Sequence, residues 1–328
     1  MNAPIGSKWF GVAWVSGALL CGAAAQAQQV VRVAYAVPQN SHYGAGVDAF
    51  AADLFARTGG RFKVEHLGGG KAGGELEILN KIKSGELEMA SSSSGPLGNL
   101  VPETKVLDLP FLFYDYRHAR RTLDGEIGQK LLALFPKYGL QGLAWTENGF
   151  RHITNNKRPI VFPDDVAALK LRTMENTVHM ESMRAMAAAP IPLAFTKLFK
   201  ALQDGELDGQ ENPLPIILAS KFSETQKYLS LTQHFYSAAI FVVSPKLWAT
   251  LSPSDREAFL AAARVGVKAQ RDRVNSDEFA ALTKLAEQGM KINSYVEVQA
   301  FRRLLRPKYP TLLPGVDLAL VEAIRKNQ

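Results

Sequence analysis

The sequence predicts an α/β protein built on open, largely parallel sheets with helices on both faces. Two observations carry that expectation. Stretches of period-two apolar alternation are separated by stretches of helical period, giving a βαβαβ rhythm. The chain also has 328 residues, 47% apolar and 21% charged, which suits an ordinary globular protein of about two domains.

The elements follow in order. Val31, Val33, Tyr35 and Val37 alternate as a strand, and Val47, Phe50, Ala51 and Leu54 mark one helical face ended by Gly59-Gly60. Phe62 to Leu67 alternates again, and Leu76, Leu79 and Lys83 continue a second helix. Leu87 to Ala90 is a third short strand leading into Ser91-Ser92-Ser93-Ser94. Ligands of such sheets sit beyond the carboxyl ends of the strands. The loop after Val37, the glycine-rich loop 68–74 and the serine run all fall at such ends.

Leu140 to Trp145 reads as a further strand, and a second set of elements begins near 149. Pro163-Asp164-Asp165 opens a short helix, Leu169 to Met174 returns as a strand, Phe195 to Gln203 is helical, and Leu207 to Gln210 is extended. Tyr236 to Ser244 is a β-rich run placed to cross back. Ser252-Pro253-Ser254-Asp255 then combines an N-cap serine, proline at the first helical position and an acid three residues on. Helical pattern continues to about Gln288, and two smaller helices close the chain.

Before these elements, Lys8 precedes an apolar run, Trp9 to Leu20, and small residues ending Ala25-Gln26-Ala27. This pattern predicts a secretory signal over residues 1–27, cut before Gln28. A retained membrane anchor is the alternative, although the run is short for a bilayer. Cys21, the only cysteine, lies inside that leader, so the exported chain would hold no thiol and no cysteine metal ligand. Losing the leader removes Lys8 and no acid, so the formal charge falls from +7 to +6. The basic residues are scattered, which argues against a nucleic-acid binder and suits a protein that attracts small anions.

No G-x-S-x-G, H-E-x-x-H, C-x-x-C or Walker sequence occurs, and the six histidines show no metal-ligand spacing. Gly68-Gly69-Gly70-Lys71-Ala72-Gly73 satisfies G-x-G-x-x-G, but after the second strand rather than the first. A glycine-rich turn facing a ligand cleft, with Lys71 reaching in, is the preferred reading. Neither a cofactor nor a metal is expected. Asp208-Gly209-Gln210-Glu211-Asn212-Pro213 offers an amide that both donates and accepts, and Lys170-Leu171-Arg172 places an arginine in a short strand. Arg151, in Glu147-Asn148-Gly149-Phe150-Arg151, falls where the two halves should meet. An arginine fork suits a carboxylate.

These segments, in this order, resemble the solute-binding proteins of TRAP (tripartite ATP-independent periplasmic) transporters, the DctP-like family. The resemblance covers nearly the whole chain after the leader. Besides the segments around Arg151, Arg172 and Asn212, Leu109-Pro110-Phe111-Leu112-Phe113 and Ala194-Phe195 with Ala201-Leu202-Gln203 carry it. It implies two open-sheet Rossmann-like domains of periplasmic binding-protein type, a connecting strand pair, a long helix spanning both, and hinge closure over ligand. In the expected division, residues 28–148 with 238–277 form domain I and 149–237 with 278–328 form domain II. The resemblance further implies that Arg172 pairs with a ligand carboxylate, that Arg151 and Asn212 assist, that Phe195 lines the cleft, and that Ser92 and Ser93 occupy positions that vary with ligand. The chain departs from the family at His66-Leu67-Gly68-Gly69-Gly70 and mildly at Ala189-Pro190-Ile191-Pro192-Leu193.

The expected protein is therefore periplasmic and captures a small carboxylate for the membrane subunits of a TRAP transporter. It is expected to be a monomer and not an enzyme. His42, Lys71 and Glu75 join the serines on the pocket's other half, and this mixture favours a sugar acid such as a uronate or aldonate. A C4-dicarboxylate is the rival, with Lys71 or His42 on its second carboxylate. A 2-oxo or hydroxy monocarboxylate is a further alternative. An exported enzyme or a sensor module on the same scaffold represents the other classes.

Overall fold

A computed structural model describes residues 28–327, with Met1 and Gly6. The expected leader, apart from those two residues, lies outside the described residues. The described strands form one nine-stranded sheet. They are β1 (Gln29–Ala34), β2 (Phe62–Leu67), β3 (Met89–Ser93), β4 (Gln141–Asn155), β5 (Lys170–Thr173), β6 (Ala189–Pro192), β7 (Gly209–Pro213), β8 (Tyr228–Val243) and β9 (Lys291–Asn293). Their order is β2-β1-β3-β8-β4-β7-β5-β6, with β9 on β8.

The expected parallel pairings are present within each half. β1 runs parallel to β2 and β3, and β5 runs parallel to β6 and β7. The halves are joined by β4 and β8, two long antiparallel strands that pair along their length. Register shifts interrupt that pairing between Glu147 and Gly149 and between Arg151 and Ile153. Such bulges re-aim side chains, and here they fall beside Asn148 and Arg151.

Burial explains the long helix. It spans Pro253–Glu287, and its cap is as expected: the Ser252 hydroxyl accepts from the Asp255 amide at 3.1 Å. Asp255 itself holds Arg61 rather than closing a capping box. Phe259, Ala262 and Ala263 pack with Val31, Phe50 and Phe241 of the first half. Ala281 and Leu285 pack with Leu198, Leu202 and Leu214 of the second. One helix thus braces both lobes.

The end of the chain departs from the expected division. Phe301 and Leu305 pack with Ile153, Leu171 and Met183 in the second half. Tyr309, Leu312, Val321 and Ile324 instead join Leu123, Leu131 and Phe135 of the first. His118 Nε2 lies 2.7 Å from the Ile324 carbonyl, and Asn327 donates to Thr122 at 3.2 Å. Residues 309–327 therefore return to the first half, because the apolar face of Leu318–Lys326 finds its cover there.

Candidate functional site

Segments from the two halves meet beyond the carboxyl ends of β1, β3 and β5. The loop 174–176 reaches across: Asn176 Nδ2 donates to the Gly95 carbonyl at 2.9 Å, and Asn99 Nδ2 donates to the Glu175 carbonyl at 2.6 Å. The glycine-rich loop approaches Ala194–Phe195–Thr196 so closely that a Cβ on Gly70 would lie 2.4 Å from Thr196 Cγ2. Gly70 also has φ +74°, which favours glycine. Its role is close approach between lobes, not phosphate binding. A cavity of about 440 Å³ opens at this seam, lined by Ala36, Gly69 and Gly70 on one side and Phe195, Thr196 and Phe222 on the other.

Arg172 stands on β5 and is 2% exposed. Its Nε donates to the Leu193 carbonyl at 2.8 Å, and its guanidinium lies 6.0 Å from the centre of the Phe195 ring. Among the described residues no group accepts from Nη1, and no acid lies in salt-bridge reach. Burial, then the nearby Arg151, pushes its pKa down to about 10. The group remains cationic at neutral pH, so the site holds a buried positive charge with no anionic partner of its own.

Arg151, on β4, is buried but differently served. It donates through Nε to Glu211 Oε2 at 2.5 Å and through Nη2 to Glu211 Oε1 at 2.9 Å. Nη2 also reaches the Glu211 carbonyl at 2.5 Å and Asn212 Oδ1 at 3.2 Å. Burial opposes the Glu211 charge, but Arg151 with His179 and His234 holds its carboxyl well below the usual range. Only Nη1 is left without a described acceptor. Asn212 sits beside this pair, its Nδ2 donating to Gln210 Oε1 at 2.5 Å. Sequence reasoning assigned Glu211 no role, although it directly precedes Asn212.

On the first-half side, Ser91, Ser92 and Ser93 lie within β3 rather than in a turn after it, and all are buried. Glu75, at the start of the Glu75–Ser84 helix, is 9% exposed. Its Oε1 accepts from the Ser93 amide at 2.7 Å, the Ser93 hydroxyl at 2.8 Å and the Ser92 hydroxyl at 3.3 Å. Ser93 also meets Met174 Sδ of the opposite half at 3.3 Å.

His42 begins the helix His42–Arg57 and is buried, with neither ring nitrogen hydrogen-bonded among the described residues. Burial pushes its pKa down to about 3, against a smaller opposing effect of Asn148, so the ring is neutral. A neutral ring can still meet a ligand through its N–H, as a hydrogen-bond donor rather than as a cation. The next residue, Tyr43, buries an unpartnered hydroxyl, and Asn148 Oδ1 and Thr173 Oγ1 are likewise unpartnered. None of these three was singled out from sequence. Phe195, half-buried, packs against the cores of both halves at the seam. Lys71, by contrast, is exposed and stands apart from this buried group. The glycines that carry it serve the lobe contact, and no described acid draws the ammonium inward.

A larger cavity, about 850 Å³, lies between Val106, Leu131 and the Leu313–Leu320 segment. It contains none of these residues and no comparable set of buried polar groups, so chemistry rather than volume locates the site. The buried arrangement can grip an anion and several hydroxyls.

Comparison with known proteins agrees with this geometry. Residues 33–313 match the DctP model, bacterial extracellular solute-binding protein, family 7. A TRAP periplasmic solute-binding protein from Polaromonas sp. JS666, bound to D-erythronate, is 46% identical with a TM-score of 0.89, covering 91% of this chain and 98% of that one. A Bordetella counterpart, with pantoate assigned to its density, is 40% identical with a TM-score of 0.90, covering 92% and 100%. The sugar-acid-binding protein of Advenella mimigardefordensis, in complex with galactonate, is 35% identical with a TM-score of 0.88, covering 92% and 98%.

Proposed function

The chain belongs to the DctP family of bacterial extracellular solute-binding proteins, and we propose that it captures a sugar acid for a TRAP transporter. The ligand carboxylate pairs with Arg172, and its hydroxyls are read by the polar groups of the first half. The observation that carries this reading is the buried Arg172 guanidinium with no acid of its own. Leaving a buried charge unpaired costs about 3–5 kcal/mol, so an incoming carboxylate has a large differential effect on the closed form. The protein works in the periplasm, exported by residues 1–27, and passes its ligand to membrane subunits as a monomer. Its cleft lies between residues 28–148 with 238–277 on one side and 149–237 with 278–305 on the other.

The relatives that hold erythronate and galactonate support an aldonate. We read the site as a binding site rather than an enzyme's, so an acid incubated with the protein is expected back unchanged. The test is a pair of calorimetric titrations. D-erythronate should bind at least about a hundredfold more tightly than erythritol, its neutral counterpart, equivalent to about 2.7 kcal/mol. Equal affinity for the two would show that no carboxylate is needed and would end this reading.

A further inference from the structure

Cations without an acid occur again where the chain crosses from the second half to the first. Arg302 and Arg306 stand about one turn apart, on the helix Val298–Leu305 and just beyond its end. Phe301 and Leu305 fix that helix in the second half. Tyr114, next to the core residue Phe113, and the last helix, which carries Arg325, belong to the first. The Arg302 guanidinium lies 5.8 Å from the centre of the Phe111 ring and 5.9 Å from that of Tyr114. Arg306 lies 5.4 Å from the Tyr114 ring and donates through Nη2 to the Phe111 carbonyl at 2.9 Å. Among the described residues Arg302 makes no hydrogen bond, neither arginine has an acid in salt-bridge reach, and both Nε atoms are buried without an acceptor. Arg325 differs, since Glu322 accepts from its Nη1 at 2.7 Å. Burial, then the charge of Arg306, pushes the Arg302 pKa down. Burial opposes ionisation of Tyr114, but Arg325 and Arg306 hold its hydroxyl below the ordinary value.

We infer that Arg302 and Arg306, with the Tyr114 hydroxyl, form a second anion site, for a doubly charged tetrahedral oxyanion of the sulfate or hydrogen phosphate class. Like charges one helical turn apart repel, and no described acid offsets this pair. Two unmatched arginines are balanced by two negative charges. The rings of Phe111 and Tyr114 take up the guanidinium faces, so the free N–H groups lie along the edges, where an arginine fork meets an oxyanion. The Tyr114 hydroxyl adds a further donor. A tetrahedral ion offers acceptors in three directions at once, whereas the flat, singly charged carboxylate of the cleft ligand suits one arginine. The site shares no residue with the cleft. Its groups come from both halves, so a bound ion would touch both where the chain crosses.

Sodium sulfate is the probe, titrated in a calorimeter at an ionic strength held constant with sodium chloride. The wild-type protein should show a saturable site with a Kd near or below about 1 mM. Arg172→Ala, which removes the anion-binding arginine of the cleft, should keep this site. Arg302→Gln or Arg306→Gln should weaken it at least about tenfold, and the double variant should abolish it. Lys308→Gln removes an exposed cation two residues beyond Arg306 and should change nothing. A second readout is optical. Saturating sulfate should move the ultraviolet titration of the tyrosine that is lost in Tyr114→Phe to higher pH, because the bound charge offsets the arginines that depress it. This readout needs no arginine variant and decides the matter should those variants not fold. Absence of saturable sulfate binding, its loss in Arg172→Ala, its survival in the double variant or an unmoved Tyr114 titration overturns the inference. Each of these leaves carboxylate capture in the cleft intact, since erythronate is not used.

Discussion

Two buried arginines stand in one lobe under opposite conditions. Arg151 is clasped by Glu211 through two side-chain bonds, whereas Arg172 has only the Leu193 carbonyl and the face of Phe195. Both lie on the sheet and both are out of water. The difference teaches how to tell architecture from site. A buried charge with an internal counter-charge is satisfied before any ligand arrives, so it contributes to the fold. A buried charge without one keeps its desolvation cost until a guest supplies the partner. The carboxylate clamp is therefore asymmetric: Arg172 carries the charge pairing, and Arg151 adds at most its remaining Nη1.

The sharpest way to break that comparison is to remove each arginine in turn. Arg151→Ala strands Glu211 among His179 and His234 and should destabilise the unliganded protein by about 3–5 kcal/mol in urea melts. Arg172→Ala strands no acid. It should leave the unliganded protein at least as stable, because an unpaired buried charge is removed, yet weaken erythronate about a hundredfold, roughly 3 kcal/mol. If both variants lose stability equally, the two arginines are not different in kind, and the argument from the missing partner fails.

Much of this was legible in the chain. The period-two runs and the Ser252-Pro253 start located strands and the long helix, because those signals are local. Arg172, Arg151 and Asn212 were likewise visible as residue types suited to an anion. The clasp between Arg151 and Glu211 was not, since it joins positions 60 residues apart through the antiparallel register of β4 and β7. The glycine-rich loop carries a second signal that sequence does not separate: a long cation there suits a ligand group, while Gly70 serves the close approach to Thr196. The end of the chain was misplaced because an amphipathic helix such as Leu318–Lys326 states which face it buries, not against which lobe.

The contrast between partnered and unpartnered groups extends to the histidines, with a smaller effect. His42 and His152 are buried without an acid, and burial pushes each pKa down to about 3. His179 lies 3.7 Å from Asp108 and 3.9 Å from Glu211; burial opposes its charge, but the two nearby acids outweigh it and raise its pKa. The unfolded chain takes up protons at His42 and His152 near pH 6.5, while the fold resists them. Their stabilising effect is thus present above about 6.5 and is lost as pH falls toward 3, at about 2 kcal/mol each by pH 5. His179 has the reverse sign: its contribution is full below its unfolded value and is lost as pH rises through its raised value. Urea melts between pH 5 and 8 should show His152→Gln losing part of the acid sensitivity and His179→Gln losing part of the alkaline decline. An unchanged profile for both would remove histidine burial as the cause.

The smallest expected effect concerns what Arg172 does have. Phe195 presents its ring to the guanidinium at 6.0 Å and also touches Phe222, with ring centres 6.1 Å apart. A ring face near a desolvated cation is worth about 0.5–2 kcal/mol, and it persists when a carboxylate binds at the guanidinium edge. Phe195→Leu keeps most of the apolar contact with both lobes and removes the ring's negative face. Erythronate affinity should fall about fivefold, near 1 kcal/mol, whereas Phe195→Tyr should bind as wild type does. Calorimetry on the three proteins separates the two parts of the ring's role. A leucine variant with wild-type affinity would mean that Phe195 only fills the seam, and that Arg172 waits for its guest with no electrostatic help beyond one carbonyl.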